Sequence, residues 1–228
     1  MGSRIRLWLG LAIACCLVVA AVAFGQGTVP ECNPSSPTSD GTAGDDVCLG
    51  TDGADRFSLG AGNDRGLGFG GADRIDGGGG LDYIEGDEGD DDLRGNGGRD
   101  SIIGGDGDDD IRGNGGPDNM PGLGGDDDIR GDGGDDILIG GEGRDRLRGG
   151  PGNDRVDGSQ GNDRLVAGPG NDVITAVRGR DRVDAGPGND QIQARDDTRD
   201  VIHCGPGFDR FFGDPGDRTR GCEKDVRF

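Results

Sequence analysis

The sequence has few of the residues that build an ordinary hydrophobic core. Only 30% of its 228 residues are hydrophobic and 4% are aromatic, whereas 53 are glycine. A chain of this composition stays disordered unless a repeat or a bound ion supplies the missing stabilisation. These shortages argue against an ordinary layered globular enzyme, and we predict that the chain is not an enzyme.

Positive charge is also scarce. Asp and Glu number 45 against 24 Lys and Arg, so the formal charge is −21. A field of this sign repels phosphate backbones and anionic membrane surfaces, so we predict no nucleic-acid partner. Lys224 is the only lysine, which excludes a P-loop. The single histidine, His203, and the lack of any Cys-x-x-Cys pair argue against zinc.

Long hydrophobic runs are limited to the N-terminus, where Arg4 and Arg6 precede the apolar stretch from Leu7 to Ala23. This pattern predicts a signal peptide at residues 1–23, cleaved after Ala23, and a secreted, extracellular product. Its removal takes the formal charge to −23. A lipoprotein anchored through Cys15 is the weaker alternative, because apolar residues follow where a polar tether is expected. The mature chain has no other stretch apolar enough to span a membrane.

Cysteine is sparse, and Cys15 and Cys16 lie in the predicted signal peptide. An even number in an exported chain favours disulfides. Three connectivities are possible, and the clustering of the cysteines at the two ends favours the local bridges Cys32–Cys48 and Cys204–Cys222. The four remaining cysteines are Cys32, Cys48, Cys204 and Cys222.

A nine-residue repeat dominates the rest of the chain. After a Pro-, Ser- and Thr-rich linker at residues 24–40, seventeen units run from Gly41 to Gln193 without an insertion. The fourth position is always Gly and the sixth is always Asp. The first is Gly in 13 units, and the eighth is apolar in 16, with Gly66 as the exception. Such regularity predicts a solenoid rather than an unstructured Gly-rich tract.

Each unit combines a turn with a short strand. In the unit from Gly104 to Arg112, six Gly- and Asp-rich residues predict the turn and three residues predict the strand. Because side chains alternate, only the middle strand residue should face inward. Seventeen units give about eight coils of two strands each. The outer positions of the even-numbered units place Asp and Arg in adjacent rows, which predicts a ladder of ion pairs.

The pattern Gly-Gly-x-Gly-x-Asp-x-apolar-x resembles the repeats-in-toxin, or haemolysin-type calcium-binding, family of bacterial proteins, with Gly149 to Asp157 as a clean example. The resemblance implies an all-β, right-handed parallel β-roll that holds several Ca²⁺ ions between neighbouring turns through backbone carbonyls and the sixth-position Asp. Carboxylates without His or thiolate companions independently favour Ca²⁺. Sharing of each ion between turns two units apart limits the regular repeats to at most about 15 sites. The candidate ligands are Asp46, Asp55, Asp64, Asp73, Asp82, Asp91, Asp100, Asp109, Asp118, Asp127, Asp136, Asp145, Asp154, Asp163, Asp172, Asp181, Asp190, Asp200 and Asp209.

Residues 194–228 look like degenerate repeats and a C-terminal cap, for which Phe211 and Phe212 supply bulk. The apolar core of one residue per unit is thin, so we expect the chain to fold only when it binds Ca²⁺. A secreted structural, adhesive or cell-surface protein with an unidentified protein or polysaccharide partner is the favoured function. The alternatives are a calcium-dependent accessory domain of a toxin or extracellular enzyme whose catalytic part is absent, and an ice- or polysaccharide-binding solenoid. The last would need a Thr or aromatic ladder, which neither face has.

Overall fold

A computed structural model describes residues 39–222 and 224–225. This part of the chain consists of β-strands joined by tight turns and contains no helix. The predicted signal peptide, most of the predicted linker and Cys32 lie outside the described residues. Strand β1 comes just before the first repeat, and the strands that follow recur once per unit.

The strands form two parallel sheets of eleven strands each, and each strand pairs with the strands two places before and after it. Through the regular units the paired residues are 18 apart, so equivalent positions of alternate units are direct neighbours. This arrangement confirms the predicted all-β, parallel β-roll. The first sheet contains β1 (Ser39–Asp40), β3 (Arg56–Ala61), β5 (Arg74–Gly80), β7 (Asp92–Gly98), β9 (Asp110–Gly115), β11 (Asp128–Gly133), β13 (Arg146–Arg148), β15 (Arg164–Val166), β17 (Arg182–Asp184), β19 (Val201–His203) and β21 (Arg218–Arg220).

The second sheet is built from the odd-numbered units and their C-terminal continuation. It contains β2 (Val47–Leu49), β4 (Arg65–Gly70), β6 (Tyr83–Glu88), β8 (Ser101–Asp106), β10 (Asn119–Gly124), β12 (Ile137–Gly143), β14 (Arg155–Gly161), β16 (Val173–Thr175), β18 (Gln191–Ala194), β20 (Arg210–Gly213) and β22 (Lys224–Asp225). The turns of the even-numbered units therefore lie along one edge of the roll. Those of the odd-numbered units lie along the other.

The prediction of three-residue strands is wrong for much of the roll. Strands β3 to β12 and β14 have six or seven residues, because pairing continues into the first three positions of the next unit. Their burial alternates so that the first position of the next unit also faces inward. Four of the short strands, β13, β15, β17 and β19, are followed in the next turn by Pro151, Pro169, Pro187 and Pro206. Proline cannot donate a ladder hydrogen bond, which accounts for their early end.

The core is a single stack of apolar side chains between the two sheets, running from Cys48 to Phe211. It is made mainly of the eighth-position residues, most of which are fully buried. Ala167, Ala176 and Ala185 at first positions are buried as well. A core this narrow buries about one large side chain per strand.

Two irregularities follow from the sequence. Pro121 has no N–H to donate to the ladder, and β10 lacks the pairs of Met120 and Pro121 with β8 that it keeps with β12. The phase slip after Gln193 changes the register from 18 residues to 19 at β17–β19 and then to 17 at β19–β21. The strand order is unchanged through this region.

Candidate calcium sites along the two edges of the roll

The sixth-position aspartates form two continuous ladders, one along each edge of the roll. The backbone N–H of each Asp donates a hydrogen bond to Oδ1 of the corresponding Asp two units later. The distance from Asp109 N to Asp127 Oδ1 is 2.9 Å, and that from Asp100 N to Asp118 Oδ1 is 2.8 Å. One ladder runs from Asp46 to Asp209. All nineteen candidate aspartates belong to these two ladders.

The other oxygen of almost every ladder carboxylate is buried without a hydrogen-bond partner among the described residues. Asp109, for example, is 2% exposed, and its Oδ2 has no donor nearby. The first member of each ladder differs. Oδ2 of Asp46 accepts hydrogen bonds from the backbone N–H and the hydroxyl of Thr42, and its buried, unpartnered oxygen is Oδ1. Oδ2 of Asp55 accepts the same two hydrogen bonds from Thr51, and Asp55 has no buried, unpartnered oxygen. A buried carboxylate oxygen without a hydrogen-bond donor is costly, and its repetition along both edges indicates that these oxygens are suited to a cation.

Burial raises the pKa of many of these carboxyls because the charged form loses its hydration. The pKa of Asp109 rises to about 8, with further contributions from the negative charges of Asp127, Asp91 and Asp90. Burial raises the pKa of Asp154 and Asp181 to about 7. The backbone hydrogen bond that each accepts opposes these shifts only in part. The ladders therefore hold negative charge that lacks compensation.

The first-position glycines bring backbone oxygens to the same places. A Cβ on Gly104 would lie 2.2 Å from Oδ2 of Asp109 and 2.8 Å from the carbonyl oxygen of Gly122. A side chain at Gly104 would displace these atoms, so glycine leaves room around a carboxylate oxygen and a carbonyl oxygen. The same pattern recurs at Gly131, next to Asp136.

This donor set fits Ca²⁺. Calcium prefers several oxygen ligands, including carboxylates and backbone carbonyls, in flexible geometry. Within the described residues no three Asp, Glu, His or Cys side chains converge on one point. A site must therefore combine one or two ladder carboxylates with backbone carbonyls, which is the set the resemblance implied. Calcium would supply the positive charge that the buried carboxylates lack.

Sequence reasoning missed one member of the ladders. Asp217 extends the even-unit ladder, because its Oδ1 accepts the N–H of Asp200 at 3.0 Å. The unit that contains it, Gly213 to Arg220, is one residue shorter than the others, so a strict nine-residue count passes over it. The sequence did offer one signal for this member, because Asp217 directly follows the turn sequence Gly-Asp-Pro-Gly.

A second ladder of side chains, at the fifth position, was also missed. At this position a side-chain oxygen accepts a hydrogen bond from the backbone N–H of the fifth-position residue two units later. Oδ1 of Asn153, for example, accepts the N–H of Asn171 at 3.0 Å. Asn189 and Phe208 continue the same run. The preference for Asp and Asn at this position was visible in the sequence. These side chains join the coils through the turns, one residue before the ladder aspartates.

The C-terminal disulfide prediction is confirmed. Cys204 and Cys222 are bonded, with their Cα atoms 5.0 Å apart, and they join the end of the first sheet to the chain beyond it. Cys48 is also disulfide-bonded. The predicted bridge from Cys48 to Cys32 remains a prediction, because Cys32 lies outside the described residues.

The fold and the two oxygen-lined edges define a calcium-binding parallel β-solenoid. The sequence profile of the RTX calcium-binding nonapeptide repeat, which spans four copies, matches residues 39–66, 67–102, 85–120, 121–156 and 157–192. The chain belongs to this family of repeats, and its cofactor is Ca²⁺ in several copies. A comparison with curated proteins gives no match. The described part of the chain has no helix of the length and apolarity that a membrane crossing requires.

Proposed function

We propose that this is a secreted calcium-binding β-roll protein that folds on binding Ca²⁺ and serves a structural or adhesive role outside the cell or at its surface. The observation that carries the proposal is the pair of ladders with buried, unpartnered carboxylate oxygens. Such oxygens lose hydration on folding and gain nothing in return unless a cation is present. Secretion rests on the N-terminal sequence pattern and on the disulfide between Cys204 and Cys222.

Coupling between binding and folding follows from the narrow core. Each strand buries about one large apolar residue, while every unit orders nine residues of Gly-rich backbone. Backbone ordering of Gly-rich chain is entropically expensive. Stacking of the coils also aligns like charges two units apart, which opposes folding further. Calcium bound between coils would offset both costs.

The number of neighbouring carboxylate pairs in the two ladders sets an upper limit on the number of calcium ions. Neighbouring carboxylates within the regular repeats form the 15 pairs that the sequence predicted as an upper limit. The members beyond residue 193, Asp200, Asp209 and Asp217, add three further pairs. We propose weaker binding where Leu59, Ala167, Ala176 and Ala185 replace the first-position glycine, because a side chain then occupies the space that glycine leaves.

A calcium titration of the purified, chelator-treated chain tests the proposal. Far-ultraviolet circular dichroism and the hydrodynamic radius should report a cooperative change from an expanded coil to compact β-structure. Magnesium, which demands a tighter octahedral shell, is the control and should be far less effective. A chain that shows full β-structure in chelator and does not respond to calcium would refute it.

A further inference from the structure

The arginine–aspartate ion pairs on the outer face of the first sheet end at Arg148, partway along the roll. Asp110 and Asp128 are paired with Arg112, Arg130 and Arg148 at 2.6–3.6 Å, and Asp92 is paired with Arg74 and Arg94. The predicted ladder of ion pairs is therefore confirmed for the middle coils. Beyond Asp128 the acidic row ends and the same position is occupied by arginine.

Three arginines then stack in register. Arg146, Arg164 and Arg182 occupy the seventh position of successive even-numbered units and are direct neighbours across β13, β15 and β17. None of them forms an ion pair within residues 39–222. Neighbouring strands lie about 4.8 Å apart, and like charges directly opposite each other are unfavourable. The row of three arginines therefore does not stabilise the first sheet.

Two more arginines close the row into a concave site. Arg144 and Arg180, at the fifth position of their units, join the three stacked arginines around a cavity of about 370 Å³ with Asn162 between them. All five arginines are exposed. The acidic groups of the cavity, Asp145 and Asp163, are buried members of the calcium ladder. Calcium bound there would leave the arginine charges uncompensated. We call this site, lined by Arg144, Arg146, Arg164, Arg180 and Arg182, the arginine groove.

We propose that the arginine groove binds an acidic polysaccharide through sulfate or carboxylate groups on neighbouring sugars. A guanidinium group makes paired, charge-assisted hydrogen bonds to oxyanions, and five of them over three coils suit a ligand with several anionic groups. The charge of the whole chain, −21, disfavours the dense charge of a nucleic acid, one per about 1.7 Å of duplex. A glycan with about one charge per sugar suffers less repulsion from Asp92, Asp110 and Asp128 on the same face. This names the partner class that the proposed function leaves open.

The test uses the calcium-loaded full chain and a fluorescent chondroitin sulfate hexasaccharide, which carries about one charge per sugar, with binding followed by anisotropy. An uncharged dextran oligomer and a 12-nucleotide single-stranded DNA serve as comparison ligands. The groove variant is Arg146→Gln/Arg164→Gln/Arg182→Gln. The matched control, Arg65→Gln/Arg155→Gln/Arg210→Gln, removes three exposed seventh-position arginines from the second sheet. It therefore makes the same change in net charge.

The groove variant should lose hexasaccharide affinity by about tenfold or more, whereas the control should stay within about twofold of the unchanged chain. Equal losses in both variants, or no binding by the unchanged chain, would overturn the proposal. So would DNA binding as tight as that of the hexasaccharide, which would indicate a nucleic-acid partner. Circular dichroism in calcium is recorded in parallel. A chain that binds the glycan but does not respond to calcium would contradict the proposed function alone.

A stability measurement gives a second, independent readout. In the absence of glycan, Arg164→Gln should raise the melting temperature of the calcium-loaded protein, because it removes the middle member of a repelling row. Arg155→Gln, whose strand neighbours are Ile137 and Val173, should not. A lower melting temperature for Arg164→Gln would mean that the row stabilises the sheet, and the proposal would lose its premise.

Discussion

At the scale of single residues, the two oxygens of a ladder aspartate such as Asp109 have different surroundings. Oδ1 of Asp109 accepts a hydrogen bond from the backbone N–H of Asp91 at 2.9 Å. Oδ2 is buried and has no donor among the described residues. An asparagine in place of the aspartate can still accept the backbone N–H through its amide oxygen. Its NH₂ group, however, then takes the place of Oδ2 and cannot bind a cation. The substitution therefore separates the structural contact from calcium binding.

We predict that Asp109→Asn raises the calcium concentration at the folding midpoint severalfold, since it weakens the carboxylate contribution to its sites. Asp108→Asn is the matched control. It removes the same charge one residue away, from an exposed side chain whose Oδ1 accepts the N–H of Asp126. The control should leave the midpoint nearly unchanged. Calcium titrations monitored by circular dichroism measure both, and an equal effect of the two variants would mean that net charge alone sets the midpoint.

The alignment of the ladder aspartates was predictable from the sequence, whereas the filling of an irregular core position by neighbouring side chains was not. The nineteen aspartates repeat at a fixed position, so the repeat alone predicts that they align along the roll. Gly66, by contrast, stood out only as a missing apolar residue. A Cβ on Gly66 would lie 3.2 Å from Cδ1 of Leu59 and 3.2 Å from Cε2 of Phe57. Leu59, at a first position that is usually glycine, fills this space from within the same unit, and Phe57 fills it from the preceding unit, so the filling depends on neighbours that a position-by-position reading of the repeat does not show.

At the scale of strands, the sequence predicts where each strand begins better than where it ends. Every regular strand starts at the seventh position, directly after the ladder aspartate. The end depends on whether the backbone of the following glycines stays in register with its neighbours, as in β9 and β11. Glycine has no side chain and therefore gives no alternating strand pattern, so the sequence did not predict that the strands extend into positions one to three of the next unit. The third-position prolines mark four of the short strands, β13, β15, β17 and β19.

Pro121 offers a test of the ladder at this scale. Pro121→Val should restore the N–H that β10 lacks toward β8, and raise the free energy of unfolding by about 0.5–1.5 kcal/mol. The new amide at position 121 should also be protected from hydrogen exchange. Pro117→Ala is the control, because it removes a proline from the turn of the same unit without adding a strand donor. It accounts for the gain in unfolded-state entropy that loss of any proline brings.

Chemical denaturation in saturating calcium and hydrogen exchange measure the two effects. The stability of Pro121→Val is compared with that of Pro117→Ala rather than with that of the unchanged chain. Rapid exchange at position 121 would mean that the gap between β8 and β10 has a cause other than the missing N–H. The neighbouring strand β12 already pairs with Asn119, Met120 and Pro121, so the hydrogen exchange of its own amides should not change.

At the scale of the whole roll, its two edges behave as rows of coupled titrating groups. Burial raises the pKa of Asp118, Asp127 and Asp200 to about 7 and that of Asp73 to about 6, well above the ordinary value of 3.8. A folded state with raised carboxyl pKa values binds more protons than the unfolded chain. Protons and calcium are thus alternative ways to neutralise the same edges.

The sign of the pH dependence follows from these shifts. The metal-free roll is most stable below about pH 4, where the carboxyls are protonated in both states, and it loses stability as the pH rises through about 6 to 8. We therefore predict that the calcium-free chain gains β-structure when the pH is lowered from 8 to 5. Calcium affinity should change in the opposite direction and fall over the same range, because protons compete for the carboxylates.

Circular dichroism of the metal-stripped chain across this pH range measures the first effect, and calcium titrations at each pH measure the second. Sodium chloride at pH 8 is the control, since salt screens exposed charges but restores no hydration to buried ones. It should induce much less structure than acid does. Asp109→Asn should shift the acid-induced transition to higher pH, because a neutral side chain at that point needs no proton. A metal-free chain that is equally unstructured at pH 5 and pH 8 would mean that the buried carboxylates do not limit folding, and that the cost of ordering the glycine-rich backbone does.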